Sequence, residues 1–89
     1  MLADELERLH EAVLQAFSKE EHRARSKFGD FHSAHEGFAV LLEEVDELWD
    51  AVRLQEGDPE RADSLRLEAI QVGAMALRFV VDVCGGLEG

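Results

Sequence analysis

The segment from Leu67 to Val83 is apolar on almost every side, and it limits what a chain of 89 residues can form. A helix with apolar side chains all round requires neighbours all round. A chain this short supplies at most two other helices, and so small a domain buries only about 60% of its unfolded surface. We therefore predict an all-α chain of three helices, a single domain over 1–89, that assembles into a helical bundle by homo-oligomerisation, as a dimer or a tetramer.

Start and stop signals in the sequence define the predicted helices. Ser33 and Glu36 form a capping box at the start of the second helix, and Asp58-Pro59 is a typical start for the third. Two glycines end the third helix, and the last three residues are expected to fray. The predicted helices span about 2–25, 33–55 and 58–84. No segment alternates with period two, so no strand is predicted.

The second helix carries an apolar stripe on one side and acids on another. The stripe consists of Ala34, Phe38, Leu41, Leu42, Val45, Leu48, Trp49 and Val52. Its spacing predicts a face that packs on a core. Glu44 and Glu47 lie on a different side, together with the small or apolar Gly37, Val40 and Ala51. We expect another helix to cover that side as well.

Charge and composition exclude several classes of function. A net charge of −11 disfavours nucleic acid and anionic lipid surfaces as partners. The longest apolar run, 69–84, is too short and too polar to span a membrane, and the acidic start lacks the features of a signal peptide. A single cysteine, Cys84, allows no intrachain disulfide and is expected to be a buried filler in a reducing compartment. We expect a cytoplasmic protein.

The first connector and the charged segment before it permit fewer conclusions. Residues 18–25 are rich in charge and are expected to be solvated. Phe28 and Phe31 flank Gly29, and they either plug the end of the bundle or wall a ligand pocket. In the second case Lys27 stands near enough to bind an anionic group.

Two pairs of polar residues share the spacing that places side chains on one helical face. Glu44 and Glu47 stand at i, i+3 on the second helix, and Glu68 and Gln71 repeat that spacing on the third. Antiparallel helices would bring the pairs together as a cage of oxygens, which suits Mg²⁺ or Mn²⁺. An acidic run is often only a solvated face, but Glu68 stands within an apolar helix, where an unpaired carboxylate is costly. The metal site is therefore favoured.

These pairs also resemble a known signature. Glu43-Glu44-Val45-Asp46-Glu47, followed after twenty residues by Glu68-Ala69-Ile70-Gln71, is similar to the EExxE and ExxD motifs of the all-α NTP pyrophosphatases. That superfamily contains the MazG-like proteins, the dimeric dUTPases and their relatives. The segments FGDFHSAHEGFAVLLEEVDELW and EAIQVGAMALRF resemble a MazG-like subgroup in particular. The resemblance covers about residues 27–83.

The resemblance implies hydrolysis of a nucleoside triphosphate to the monophosphate and pyrophosphate, with Mg²⁺ or Mn²⁺ as cofactor. It implies that Glu44, Glu47 and Glu68 are metal ligands, and that Glu43 and Glu47 act as acids near the metal or its water. Gln71 replaces the family's final aspartate; its oxygen still coordinates a metal, but without charge. The alternative is a catalytically inactive relative that binds nucleotide or metal or serves as an oligomeric interaction module.

Three further residues are candidates for substrate binding. Lys27 could hold an anionic group, and His35 faces either the nucleotide or the solvent. Arg78 contacts either a phosphate or the carboxylate of Asp82, which stands four residues further along the third helix.

Overall fold

The computed structural model describes residues 1–87 and contains three α-helices. They are α1 (Ala3–Phe28), α2 (Ala34–Val52) and α3 (Arg61–Asp82). The all-α prediction is confirmed, since residues 1–87 contain no strand. The fraying expected at residues 88 and 89 lies outside the described part. Within 1–87, no helix combines the length and the hydropathy needed to cross a membrane.

The helix starts differ in detail from the predicted ones. Ser33 accepts a hydrogen bond from the Glu36 N–H at 3.1 Å, which confirms half of the capping box. The Glu36 carboxylate bonds to the His32 N–H at 3.2 Å, one residue before the expected partner. Asp58 accepts from the Glu60 N–H at 2.9 Å, so it closes a turn, and α3 begins three residues later than predicted.

The central helix α3 packs against both α1 and α2. One side of it, formed by Glu68, Gln71, Met75, Arg78 and Asp82, faces inward. Met75 and Arg78 are each only 3% exposed, and the side chain of Asp82 is 4% exposed. Apolar residues on the other sides of α3, such as Leu67 and Val81, are exposed instead. The buried core consists of Ala24, Phe31, Ala74 and Met75, with Val40, Leu41, Phe79 and Val83 packed against it.

Most of the apolar stripe of α2 faces away from this core, and Leu41 is the member that packs against it. Phe38 and Trp49 are 60% and 57% exposed, and Leu41 and Leu48 are only half-buried. The expectation that the stripe packs on a core is therefore confirmed for Leu41 and wrong for Phe38 and Trp49 within one chain, because three helices are too few to cover every apolar face. The expectation that the side of Glu44 is covered is confirmed, since Gly37 and Ala51 are buried there.

Glycine permits close approach at both interfaces of α3. A Cβ on Gly37 of α2 would lie 2.7 Å from the ring of Phe79, and a Cβ on Gly73 of α3 would lie 2.6 Å from the ring of Phe17. Both distances are shorter than atoms tolerate. The absence of a side chain at these two positions therefore sets how closely α1 and α2 pack on α3.

Three smaller expectations are corrected by the structure. The charged end of α1 is not wholly solvated, because Glu21 and Ala24 are buried. Cys84 is a free, exposed thiol and not a buried filler, because it follows the end of α3. Of the two phenylalanines, Phe31 is buried in the core, as expected for a plug at the end of the bundle. Phe28 is 64% exposed and lines a cleft, as expected for the wall of a pocket.

Candidate functional site

A cleft of about 280 Å³ opens where the three helices meet. Its wall carries cations from α1, acids from α2 and one charge of each sign from α3, because α3 packs between the other two helices. The lining residues are Arg23, Ala24, Lys27, Phe28, Val40, Glu44, Glu47, Leu67, Glu68, Gln71, Met75 and Arg78. The cleft is therefore polar on several sides, although Ala24 and Met75 of the core also line it.

Three carboxylates converge in the cleft. Glu44 and Glu47 lie one turn apart on α2, and Glu68 faces them from α3. One carboxylate oxygen from each residue lies within 4.8 Å of the other two. Glu44 and Glu68 are half-buried, whereas Glu47 stands at the exposed edge. The structure thus brings together the three acids that the spacing of the sequence placed on facing helices.

These acids are not compensated by the chain itself. Glu44 Oε2 and Glu68 Oε2 are buried without a hydrogen-bond partner. No ion pair described within residues 1–87 includes Glu44, Glu47 or Glu68. Buried polar atoms are almost always satisfied in folded proteins, so two orphaned oxygens in one cluster require an explanation.

Burial and mutual repulsion change the acidity of the cluster. Burial is the main reason that the pKa of Glu44 rises from 4.5 to about 7, with further contributions from the charges of Glu47, Glu68 and Glu43. Burial also raises the pKa of Glu68, and the neighbouring Glu47 adds to that rise. Glu44 and Glu68 therefore hold protons more tightly than isolated carboxyl groups do, and their surroundings favour either a proton or a cation between them.

Gln71 lies beside the cluster and is tied to α1. Its Nε2 donates to Glu20 Oε1 at 2.8 Å. The Glu20 carboxylate also accepts from the Arg23 guanidinium, with Nε at 2.9 and 3.0 Å from its two oxygens. Sequence reasoning missed Glu20 and Arg23, because their segment looked like a solvated, charged end of a helix. The only available signal was their i, i+3 spacing, which is common on exposed helices.

The cations at the cleft have different partners. Arg23 pairs with Glu20, and the Lys27 ammonium lies 5.2 Å from the ring centroid of the exposed Phe28. Arg78 is committed to the interior. Its guanidinium stacks over Phe31 at 3.9 Å and donates to the Gly29 carbonyl. The predicted neighbour of Arg78 on α3, Asp82, lies 3.9 Å from its Nε.

Two predicted site residues lie away from the cleft wall. Glu43 is exposed on α2 and affects the cluster only through its charge, which contributes to the raised pKa of Glu44. His35 lies in a separate shallow groove with Ala34, Phe38 and Phe79. The structure therefore brings Glu44, Glu47, Glu68, Gln71 and Lys27 together, but not His35.

Comparisons of the chain with models of known protein families, with curated proteins and with solved structures found no match. The chemistry of the cleft therefore has to be argued from its own residues.

Proposed function

We propose that this protein is a hydrolase of nucleoside triphosphates, acting on NTPs or dNTPs to give the monophosphate and pyrophosphate, and that it depends on a divalent cation held by Glu44, Glu47 and Glu68. The observation that carries the proposal is the pair of orphaned carboxylate oxygens, Glu44 Oε2 and Glu68 Oε2, within a three-acid cluster. A divalent cation would give both oxygens a partner and would cancel their repulsion.

The donor set fits a hard cation. Carboxylate oxygens from two helices are the ligands that Mg²⁺ and Mn²⁺ prefer, and Gln71 of the same cleft lining could add an amide oxygen. When bound, such an ion supplies charge neutralisation at phosphate oxygens and makes a water a better nucleophile. Glu47, at the exposed edge of the cluster, would accept the proton that the attacking water loses. Glu43 lies outside the cleft and would contribute only its negative charge.

The opposite wall of the cleft suits an anionic substrate. Arg23 and Lys27 lie one turn apart on α1 and both line the cleft, so a phosphate chain bound to the cation would meet positive charge from α1. Arg78 also lines the cleft, but its guanidinium is held by Gly29 and Phe31, so it would contribute positive charge and not a direct bond to phosphate. Phe28 offers an exposed aromatic face beside Lys27. His35 lies outside the cleft, so we do not include it in the proposed site.

We further propose that the protein acts as a homo-oligomer through the exposed stripe of α2. A compact monomer of 10.0 kDa is expected to expose about 5,200 Å², whereas this chain exposes 6643 Å². The excess of roughly 1,400 Å² is larger than the roughly 800 Å² that one partner buries in a stable interface of standard size. Phe38, Val45 and Trp49 are all more than two-fifths exposed, and their spacing matches a helix-pairing seam.

Sedimentation analysis tests the assembly. We expect the wild-type chain to sediment as a dimer or tetramer, and Trp49→Glu to shift it to the monomer, because a charge in an apolar seam cannot be buried without a partner. Asp63→Asn, an exposed position on α3, serves as the control and leaves the assembly intact. A wild-type chain that stays monomeric at every concentration contradicts this part of the proposal.

Pyrophosphate release tests the proposed reaction. Purified protein is offered a panel of NTPs and dNTPs with Mg²⁺ or Mn²⁺, and we expect turnover of at least one of them. Glu47→Gln should abolish that turnover and leave helicity unchanged. Asp46→Asn, an exposed acid on the same helix, removes the same charge from outside the cluster and should retain activity. Equal activity of Glu47→Gln and the wild type would show that the site is elsewhere.

The second candidate is a catalytically inactive protein that binds a nucleotide or a cation in the same cleft. The observation in its favour is Gln71, which contributes no charge and whose amide nitrogen is already engaged by Glu20. Saturable cation binding without turnover of any nucleotide would select this candidate over the hydrolase. In the hydrolase, Gln71→Asp keeps or raises activity by adding a ligand charge.

A further inference from the structure

The hydrogen bond between Gln71 and Glu20 decides which way the Gln71 amide points. A primary amide carries a donor nitrogen and an acceptor oxygen on one planar group, so the partner of the nitrogen fixes the direction of the oxygen. An ionised carboxylate can only accept hydrogen bonds. The atom of Gln71 that faces Glu20 at 2.8 Å must therefore be the nitrogen, and the oxygen is turned away from α1.

Glu20 is itself held in place by its neighbour on α1. Three donor–acceptor contacts join it to Arg23 on the next turn of that helix. The side chain of Glu20 is only 17% exposed. The order of contacts is thus Arg23 to Glu20 to Gln71, from the first helix to the third.

Gln71 and Glu68 lie one turn apart on α3 and both line the cleft. We propose that Glu20 is a positioning residue, which holds the Gln71 amide so that its oxygen, and not its nitrogen, is presented to the cation held by Glu44, Glu47 and Glu68. This inference rests on the proposed cation site. It assigns to α1 a role in a site whose charged ligands all come from α2 and α3.

Gln71→Glu keeps the length of the side chain, so its carboxylate would face Glu20 across the 2.8 Å that the hydrogen bond now spans, and the two would repel each other. The aspartate of Gln71→Asp is one methylene shorter and does not reach that contact. The combined change Glu20→Gln with Gln71→Glu reverses the pair: the introduced amide at position 20 donates to the introduced carboxylate at position 71. The contact between α1 and α3 is kept, and a charged oxygen is presented to the cation.

Mn²⁺ affinity, measured from the electron paramagnetic resonance signal of the free ion, tests this inference in a double-mutant cycle. We expect Glu20→Gln to weaken Mn²⁺ binding about tenfold, the scale on which residues behind metal ligands act. Gln71→Glu alone should bind no better than wild type, whereas the double variant should bind at least as tightly as wild type. Glu11→Gln, an exposed acid on α1, controls for the general loss of negative charge.

The outcomes separate this inference from the proposed function. Mn²⁺ affinity of Glu20→Gln equal to that of wild type overturns the positioning role and leaves the cation site standing. Independent effects of the two changes, without rescue in the double variant, also overturn it, because a positioning role requires coupling. A wild-type protein that binds no Mn²⁺ overturns both. Far-UV circular dichroism of each variant excludes unfolding as the cause of a weakened affinity.

Discussion

Two inward-facing carboxylates on α3, Glu68 and Asp82, have opposite surroundings. Asp82 Oδ1 accepts from Arg25 at 2.6 Å, and its Oδ2 accepts from the Phe31 N–H at 2.8 Å. Glu68 faces the carboxylates of Glu44 and Glu47 within 4.8 Å, and its Oε2 has no hydrogen-bond partner. Burial of an acid is therefore not by itself a sign of function. The informative difference is that the chain supplies donors to one acid and withholds them from the other.

The surroundings also shift the pKa values of the two acids in opposite directions. Burial alone would raise the pKa of Asp82, but the Phe31 N–H and the Arg25 guanidinium outweigh it and hold that pKa below its usual value. Burial raises the pKa of Glu68, and nearby Glu47 reinforces the rise. The Asp82 end is a structural clamp, in which Arg25 also binds Glu21 at 2.7 Å. The Glu68 end is poised to take up positive charge.

The largest expected effect comes from breaking the clamp. Asp82→Ala removes the partner of a buried N–H and of Arg25, and it should lower the free energy of unfolding by about 3 kcal/mol. Urea denaturation at a fixed protein concentration measures this change. Asp63→Asn, which removes an exposed pair with Arg66, should cost less than about 0.5 kcal/mol. Equal losses at the two positions would remove the distinction between clamp and surface pair.

Adding a divalent cation should stabilise the protein only through the Glu68 end of α3. Mg²⁺ at a hundred times its Kd should raise the free energy of unfolding of the wild-type protein by about 2.7 kcal/mol, since it binds only the folded state. Thermal denaturation with and without Mg²⁺ measures the gain. Glu68→Gln should lose most of it, whereas Asp46→Asn should keep it. A gain that survives Glu68→Gln would place the bound ion elsewhere.

In the absence of a cation, removing one charge from the cluster of Glu44, Glu47 and Glu68 should stabilise the protein, by less than the loss of Asp82 destabilises it. Glu44→Gln removes repulsion and should raise the free energy of unfolding by about 1 kcal/mol at pH 8. The sign opposes that of Asp82→Ala, although both changes remove a carboxylate from the interior. Denaturation in the presence of a chelator measures it. Destabilisation by Glu44→Gln would show that the chain compensates Glu44 after all.

The pH dependence of stability follows from the same contrast. The folded protein holds the Glu44 proton to a pKa of about 7, above the ordinary value of 4.5. Between these values the folded state binds more protons than the unfolded state, so stability falls as pH rises from 4.5 to 7. Asp82 has a lowered pKa, so its contribution is lost only as pH falls below its ordinary 3.8. Glu44→Gln should flatten the first slope and leave the second, which denaturation across pH 3–8 would reveal.

The sequence predicted the helices and the convergence of acids but not which faces point inward. Periodicity identifies an apolar stripe on α2, yet it does not say whether that stripe meets its own chain or another. Phe38 and Trp49 are exposed because α2 instead packs the side that carries the small residues Gly37 and Ala51 against α3.

The partners of the acids were equally hidden in the sequence. Glu20 and Gln71 are 51 residues apart, and Arg25 and Asp82 are 57 apart. No local pattern encodes a contact of that kind. The i, i+3 spacing of Glu44 and Glu47 could be recognised because one helix fixes it, whereas the assignment of donors to Asp82 and not to Glu68 depends on how helices pack.

Calorimetric titration of the metal-free protein with Mg²⁺ at pH 7 shows whether Glu44, Glu47 and Glu68 form a cation site. We expect saturable binding that releases protons, because Glu44 with its pKa of about 7 must ionise to coordinate the cation. Repeating the titration in buffers of different ionisation enthalpy measures that release. Asp46→Asn should retain the binding and Glu47→Gln should lose it. Absence of saturable heat in the wild type, or binding by Glu47→Gln as tight as by wild type, contradicts the claim that these carboxylates form a cation site.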